Sequence, residues 1–159
     1  MNKARISRQQ ILNNIPEQYR HYFNIVILDI AQDIYPLFKN FTDAVNILCK
    51  HAQINKKVDI FFTSSKSNGI VSSDCLTLQY QIHPEAVHVY YNGCIFYDLA
   101  KANLYPREIQ IAAFLEELAH TYMNISDEIL VKKVVAWMYE GIHYNENTEQ
   151  YEPIYSKDK

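Results

Sequence analysis

The sequence predicts an α+β domain, and three observations lead to that prediction. Apolar residues recur at helical spacing toward both ends of the chain, whereas the middle alternates apolar and polar residues as half-buried strands do. An Asn92-Gly93 pair lies between two short strand-like runs, which is the strongest sequence signal for a tight hairpin. We therefore expect an antiparallel meander of three or four strands, flanked by two N-terminal and two C-terminal helices.

The first two predicted elements are helices. The first begins near Pro16 and continues at helical spacing to Ile34, after which Pro36 ends or kinks it. The second begins at the pair Thr42-Asp43, because either residue is a good helix cap, and runs to Cys49. Together they form the N-terminal helical layer of the expected domain.

The predicted meander occupies the middle of the chain. Its first strand is Val58–Thr63, and the polar segment Ser64–Asp74 that follows is expected to be a flexible loop. Leu76–His83 alternates cleanly and forms the second strand. The hairpin consists of Val87–Tyr91 and Cys94–Tyr97. This arrangement places His83 and His88 on the polar face, where we expect exposure to solvent.

Helical spacing returns in the last third of the chain. Pro106 suits the first turn of a third helix. That helix carries an apolar stripe formed by Ile111, Leu115, Leu118 and Tyr122. After a break at 124–126, a fourth helix has an apolar face formed by Leu130, Val134, Trp137 and Met138. We expect one domain over residues 1–143 and a flexible C-terminal tail over 144–159, because the composition there is polar and tyrosine-rich.

Composition limits the classes of function. The chain has 159 residues, of which 48% are hydrophobic and 21% are charged, and its formal net charge is −3. This balance provides no broad basic surface for nucleic acid. The apolar runs are far shorter than the roughly 20 residues of a membrane span, so no membrane association is expected. Three cysteines without a paired spacing favour the reducing cytoplasm over a disulfide framework.

The third helix carries the cluster that suggests chemistry. Glu116 and His120 are four residues apart and therefore stack on one helix face, whereas Glu117 is turned away by about 100°. Asp127 and Glu128 begin the next helix, and the break before it lets that helix fold back toward the imidazole. One imidazole with two or three carboxylates suits zinc or another divalent cation. The candidate metal ligands are therefore Glu116, His120, Asp127 and Glu128.

The run Leu-Glu-Glu-Leu-Ala-His on a helix after an antiparallel sheet resembles the zincin-type metallopeptidases, whose mark is His-Glu-x-x-His on such a helix. In that family both histidines hold zinc and the glutamate activates the bound water. The resemblance implies that Glu117 is the general base and that His120 is a metal ligand. Glu128, or Asp127, would be the third, acidic ligand of the glutamate-zincin branch.

Glu116 stands where the family has its first histidine, so the motif is degenerate. A carboxylate binds zinc at about 2.0–2.2 Å and is therefore compatible with metal binding. Because the carboxylate adds negative charge, manganese or iron matches this site better than it matches a two-histidine site. We expect a zincin-like domain with an altered or degenerate metal site; if that site is active, the domain hydrolyses a peptide-like substrate. Without metal, Glu116 and His120 would form a simple helical pair.

Two alternatives to a zincin-like hydrolase stay open. The first is a non-catalytic module that binds a peptide or protein through tyrosines on or after the sheet, namely Tyr80, Tyr90, Tyr91, Tyr97 and Tyr105. Strand propensity and core packing also account for these tyrosines. The second is a di-metal carboxylate protein, because Glu117–His120 and Glu140–His143 both spell Glu-x-x-His. The predicted strands argue against such a bundle.

The two acids at the start of the fourth helix also have a simpler interpretation. Asp127 and Glu128 lie in its first turn, where the helix macrodipole stabilises negative charge without any metal.

Overall fold

A computed structural model of the chain describes residues 5–27, 32–63, 68–72, 77–81, 85–91 and 93–155, and its fold class is α+β, as predicted. The described α-helices are α1 (Arg8–Leu12), α2 (Tyr35–His51), α3 (Leu99–Ala102), α4 (Arg107–Met123) and α5 (Glu128–Met138). The described strands are β1 (Phe23–Ile27), β2 (Val58–Thr63), β3 (Asn68–Ser72), β4 (Thr77–Gln81), β5 (His88–Tyr91), β6 (Cys94–Asp98), β7 (Ile142–Asn145) and β8 (Gln150–Pro153). None of these helices combines the length and the apolar character that crossing a membrane requires.

Four strands form a mixed sheet in the order β1-β2-β6-β5. β1 and β6 both run parallel to β2, and β5 runs antiparallel to β6. The pairing of β5 with β6 confirms the predicted hairpin, although Asn92 itself lies outside the described residues. The sheet is mixed, whereas we predicted an antiparallel meander. Alternation reports which residues share a face, and it carries no information about strand direction or partner.

β1 lies in a segment that the apolar spacing assigned to the first helix. Glu17–Tyr22 forms a short 3-10 helix instead, and Phe23–Ile27 pairs with β2. The run is short and apolar except for Asn24, and such a run fits a buried strand as well as a helix. Pro36 does not end a helix but lies in the first turn of α2, where its missing N–H is harmless. Residues 28–31 of the predicted first helix lie outside the described residues.

β3 and β4 form a separate two-stranded antiparallel sheet. β4 confirms a strand within Leu76–His83, but β3 lies in the segment that we expected to be a loop. Residues 64–67, 73–76 and 82–84, which include His83, lie outside the described residues.

The main core lies between the mixed sheet and helices α2 and α4. Phe41 makes edge-to-face contacts with Phe62 and Phe114 at centroid distances of 5.0 and 5.8 Å. Tyr97 is fully buried among them and donates a hydrogen bond to the Phe114 carbonyl at 3.0 Å. Each such ring pair stabilises a fold by about 0.5–1.5 kcal/mol beyond its burial. This packing holds α4 against the sheet and so positions the side chains on its other face.

A hairpin occupies the region predicted to be a flexible tail. β7 and β8 pair antiparallel from Ile142 to Pro153 and pack against α4 and α5. Ile142 and Tyr144 are buried, and Lys133 on α5 forms an ion pair with Glu146 at 2.8 Å. The expected boundary at residue 143 therefore falls inside a hairpin. Residues 156–159 lie outside the described residues.

Candidate metal centre

The end of α4 and the start of α5 form a tight corner. Helix α4 ends at Asn124, whose backbone adopts the left-handed conformation with φ 53° and ψ 40°. Asparagine tolerates this conformation better than most residues, which makes it a good helix terminator. The chain then reverses through 125–126, and α5 begins at Glu128. The corner brings the last turn of α4 next to the first turn of α5.

A backbone hydrogen bond within this corner orients His120. Its Nδ1 lies 2.5 Å from the carbonyl oxygen of Ile125. A carbonyl only accepts hydrogen bonds, so Nδ1 carries the proton, and in the neutral ring Nε2 carries a lone pair. That Nε2 lies 3.5 Å from Oε2 of Glu128. A histidine held through one ring nitrogen, with the other facing acidic groups, has the arrangement typical of a metal ligand.

Three side chains converge at this corner. Glu116, His120 and Glu128 each offer one ligand atom, and these atoms all lie within 4.8 Å of one another. Two ligands at zinc distances in a tetrahedral shell are about 3.4 Å apart. The 3.5 Å between Nε2 of His120 and Oε2 of Glu128 matches that spacing. The donor set therefore fits a divalent cation.

Asp127, the other acidic candidate, does not join the cluster. Its carboxylate accepts a hydrogen bond from the backbone N–H of Leu130 at 2.6 Å and caps α5. This contact supports the capping interpretation of Asp127 over its role as a metal ligand. The cap residue precedes the helix, and the side chain of the next residue, Glu128, turns toward His120.

Glu117 lines a cavity of about 570 Å³ at the same corner, together with His88, His120, Glu128 and the segment 124–126. Burial raises the pKa of Glu117 to about 7; the nearby His120 opposes this shift, and the negative charges of Glu116 and Glu128 add to it. A carboxyl group that titrates near neutrality exchanges protons readily at pH 7, as a general base must.

Glu116 is partly buried and accepts a hydrogen bond from the hydroxyl of Tyr151 on β8. Burial raises the pKa of Glu116, whereas the Tyr151 hydrogen bond and the positive charge of Lys132 lower it. Our sequence analysis missed Tyr151 because it assigned that region to a tail. The available signal was the pair of tyrosines, Tyr144 and Tyr151, on either side of a polar turn, since aromatic residues often face each other across a hairpin.

His88 lines the cavity, and sequence analysis placed it wrongly. Its ring stacks on Phe114 at 5.1 Å and meets Tyr97 edge-on at 4.5 Å. Both ring nitrogens are shielded from solvent and have no hydrogen-bond partner among the described residues. Burial lowers the pKa of His88 to about 3; the backbone of Val87 opposes this shift, and the positive charge of Lys101 adds to it. The predicted solvent-facing histidine is therefore half-buried and neutral, with both ring nitrogens shielded from solvent.

The second Glu-x-x-His sequence does not form a helical pair. Helix α5 ends at Met138, and His143 lies exposed on β7 opposite Glu152. Neither Glu140 nor His143 belongs to the ligand cluster found among the described residues. A di-metal bundle needs that motif on a helix, and here it is not on one.

The fold and the cluster define an α+β domain with a candidate cation site between two successive helices. Comparison of the chain with protein-family models, with curated proteins and with solved structures finds no match.

Proposed function

We propose that this protein is a zincin-like domain that binds one divalent metal ion through Glu116, His120 and Glu128. The observation that carries the proposal is the convergence of these three donors from two helices, with the backbone of the corner holding the imidazole in the ligand tautomer. Zinc suits this set of nitrogen and oxygen donors, and the two carboxylates also suit manganese or iron.

Charge at the corner supports a cation. The carboxyl groups of Glu116 and Glu128 lie close enough to Glu117 to raise its pKa. Carboxylates that share a site repel one another unless protons or a cation neutralise them. A divalent ion bound by two carboxylates and a neutral imidazole has no net charge with its ligands, which suits a partly buried site.

The residues around the cavity support hydrolysis of a peptide-like bond. A bound divalent cation would act there as a Lewis acid on a substrate carbonyl. Glu117 lines the cavity and would take a proton from an attacking water and return it to the leaving amine. His88 and Val89 line the cavity from β5, the last strand in the order of the described mixed sheet. An extended peptide would pair with such an edge and lie across the site.

Metal analysis of protein purified without a chelator tests the proposal. We expect about one equivalent of metal in the wild-type protein, and loss of that metal in Glu116→Ala and His120→Ala. Glu117→Gln should retain the metal, and Glu140→Gln serves as a control for an exposed acid outside the cluster. A wild-type protein that takes up no zinc, manganese or iron, even when each is added, would contradict the proposal.

A non-catalytic protein-binding module is the second candidate, and the outer face of α5 favours it. Trp137 and Leu130 are 71% and 51% exposed there, and exposed apolar side chains of this size are common at interaction surfaces. The tyrosine-rich sheet gives less support than expected. Tyr97 is buried in the core, and Tyr105 lies beyond α3 rather than on a strand. The side chains of Tyr80, Tyr90 and Tyr91 lie outside the described part of the structure.

A further inference from the structure

We infer that Tyr151 is a positioning residue of the proposed metal site: by holding one carboxylate oxygen, it makes Glu116 a ligand through a single oxygen. The inference rests on the proposed function, because it concerns how the site selects its ion.

The contact that carries the inference joins the hairpin to helix α4. The hydroxyl of Tyr151 donates a hydrogen bond to Oε2 of Glu116, across 35 positions of sequence. A phenol has one proton to donate, so it engages one of the two carboxylate oxygens. Hydrogen bonds to an ionised acceptor are short and strong, and they keep a carboxylate in one orientation. Glu116 is therefore held before any ion arrives.

The hairpin that carries Tyr151 is anchored on both sides. Across the strand pair, Tyr151 faces the buried Tyr144, and their ring centroids are 6.3 Å apart. Lys132 on α5 donates to the backbone carbonyl of Glu149 at 3.2 Å. The N–H of Ile154 donates to the carbonyl of Gly141 at 2.9 Å and closes the open end of the hairpin. These contacts place the hydroxyl of Tyr151 at a defined position beside α4.

Ligation through one oxygen has a consequence for ion selectivity. Zinc is satisfied by four donors, and one oxygen from each carboxylate leaves such a shell undistorted. Larger oxygen-seeking ions take more donors and often use both oxygens of a carboxylate. Glu116 in place of a histidine makes the site more favourable to hard ions. Tyr151 opposes that effect, because its hydrogen bond keeps one oxygen of Glu116 from binding the ion. Tyr151 is thus a determinant of selectivity for zinc.

The test compares Tyr151→Phe with Tyr144→Phe in the full chain. Both variants lose one hydroxyl from the same hairpin, but only Tyr151 contacts Glu116. Calorimetric titrations with zinc and with manganese give the two affinities of each protein. For Tyr151→Phe we expect a zinc affinity about 10–100-fold weaker, the range typical of losing an outer-shell partner. The manganese affinity should fall less, so that the preference for zinc drops. Tyr144→Phe should resemble the wild type in both titrations.

The visible absorption of bound cobalt(II) provides a second test, because it would not change if Tyr151 served only to stabilise the fold. At saturating cobalt, absorption of visible light per bound ion falls as the coordination number rises. We expect weaker absorption per bound ion in Tyr151→Phe, because Glu116 then binds through both oxygens. An unchanged spectrum per bound ion, with or without a loss of affinity, would overturn the inference, since the hydroxyl would then affect only folding. Failure of the wild type to bind zinc, manganese or cobalt would instead overturn the proposed function.

Discussion

The two sides of helix α4 differ in what they contribute to the protein. On one side, Phe114 and Leu118 are fully buried and pack in the main core. On the other side, Glu116, Glu117 and His120 are only partly buried, and burial shifts the pKa of both carboxyl groups upward. The first side stabilises the fold, whereas the second carries charges that destabilise it in the absence of a cation. Such local conflict is expected where function, and not stability, determines the residues.

The core side gives the largest expected effect. Phe114→Ala removes a ring that contacts Phe41, Tyr97 and His88, and it should lower the free energy of unfolding by about 3–5 kcal/mol, as buried aromatic truncations do. Urea denaturation followed by circular dichroism measures this change. Leu104→Ala is the control, because Leu104 is 82% exposed and its truncation should change stability by no more than about 0.5 kcal/mol. Equal effects of the two variants would contradict the assignment of this side of α4 to the core.

On the side of α4 that carries the site, a substitution should raise the free energy of unfolding instead of lowering it. The pKa of Glu117 is raised from 4.5 to about 7 by burial, so the folded state holds a proton that the unfolded state releases between those pH values. Stability of the metal-free protein should therefore fall as pH rises from about 4.5 to 7. The amide of Glu117→Gln does not ionise, so this variant avoids the cost of a buried charge and should be more stable than wild type at pH 8, by on the order of 1–3 kcal/mol.

The measurement is thermal or urea unfolding of both proteins in the presence of a chelator, from pH 4 to pH 8. The stability difference between them should vanish at the acid end of this range, where wild-type Glu117 is protonated in both states. A pH-independent difference would contradict the raised pKa of Glu117.

The smallest expected effect distinguishes the two acids at the start of α5. Asp127→Ala removes the cap hydrogen bond to Leu130 and should destabilise the protein by about 1 kcal/mol, with zinc affinity unchanged within a few-fold. Glu128→Ala removes a candidate ligand at the exposed rim of the site, and should weaken zinc binding strongly while changing the stability of the metal-free protein little. Paired unfolding and calorimetric measurements check both expectations. Zinc binding that depends on Asp127 and not on Glu128 would reverse the two assignments.

Local sequence features predicted the parts of the site that helix geometry controls. Glu116 and His120 share a face because residues four apart do so in any α-helix. The break before Asp127 was visible in the sequence, and it does return α5 toward His120, with Asn124 in the left-handed conformation. Which of Asp127 and Glu128 faces the imidazole was not predictable, because Ser126 and Asp127 are both good helix caps and the local pattern does not say which of them begins the helix.

Longer-range features were not predictable from local patterns. Phe23–Ile27 is a strand because β2 pairs with it, and the apolar spacing of that segment suits a helix equally well. His88 lies at an alternating position that predicts exposure, but α4 packs over it through Phe114. Tyr151 lies in a polar segment whose order comes from its hairpin partner and from its contacts with α4 and α5.

By itself, the sequence determined the fold class, the β5–β6 hairpin, the third and fourth predicted helices and the shared face of Glu116 and His120. These features follow from spacings within a few residues, because in a helix or a strand the spacing of two residues decides whether their side chains share a face. Only the tertiary structure decided the order of the strands, the burial of His88 and the contact between Tyr151 and Glu116. Each of these three features depends on contacts between elements that are far apart in the sequence. Burial and hydrogen bonding bring such elements together, and no local pattern shows which distant element a segment will contact.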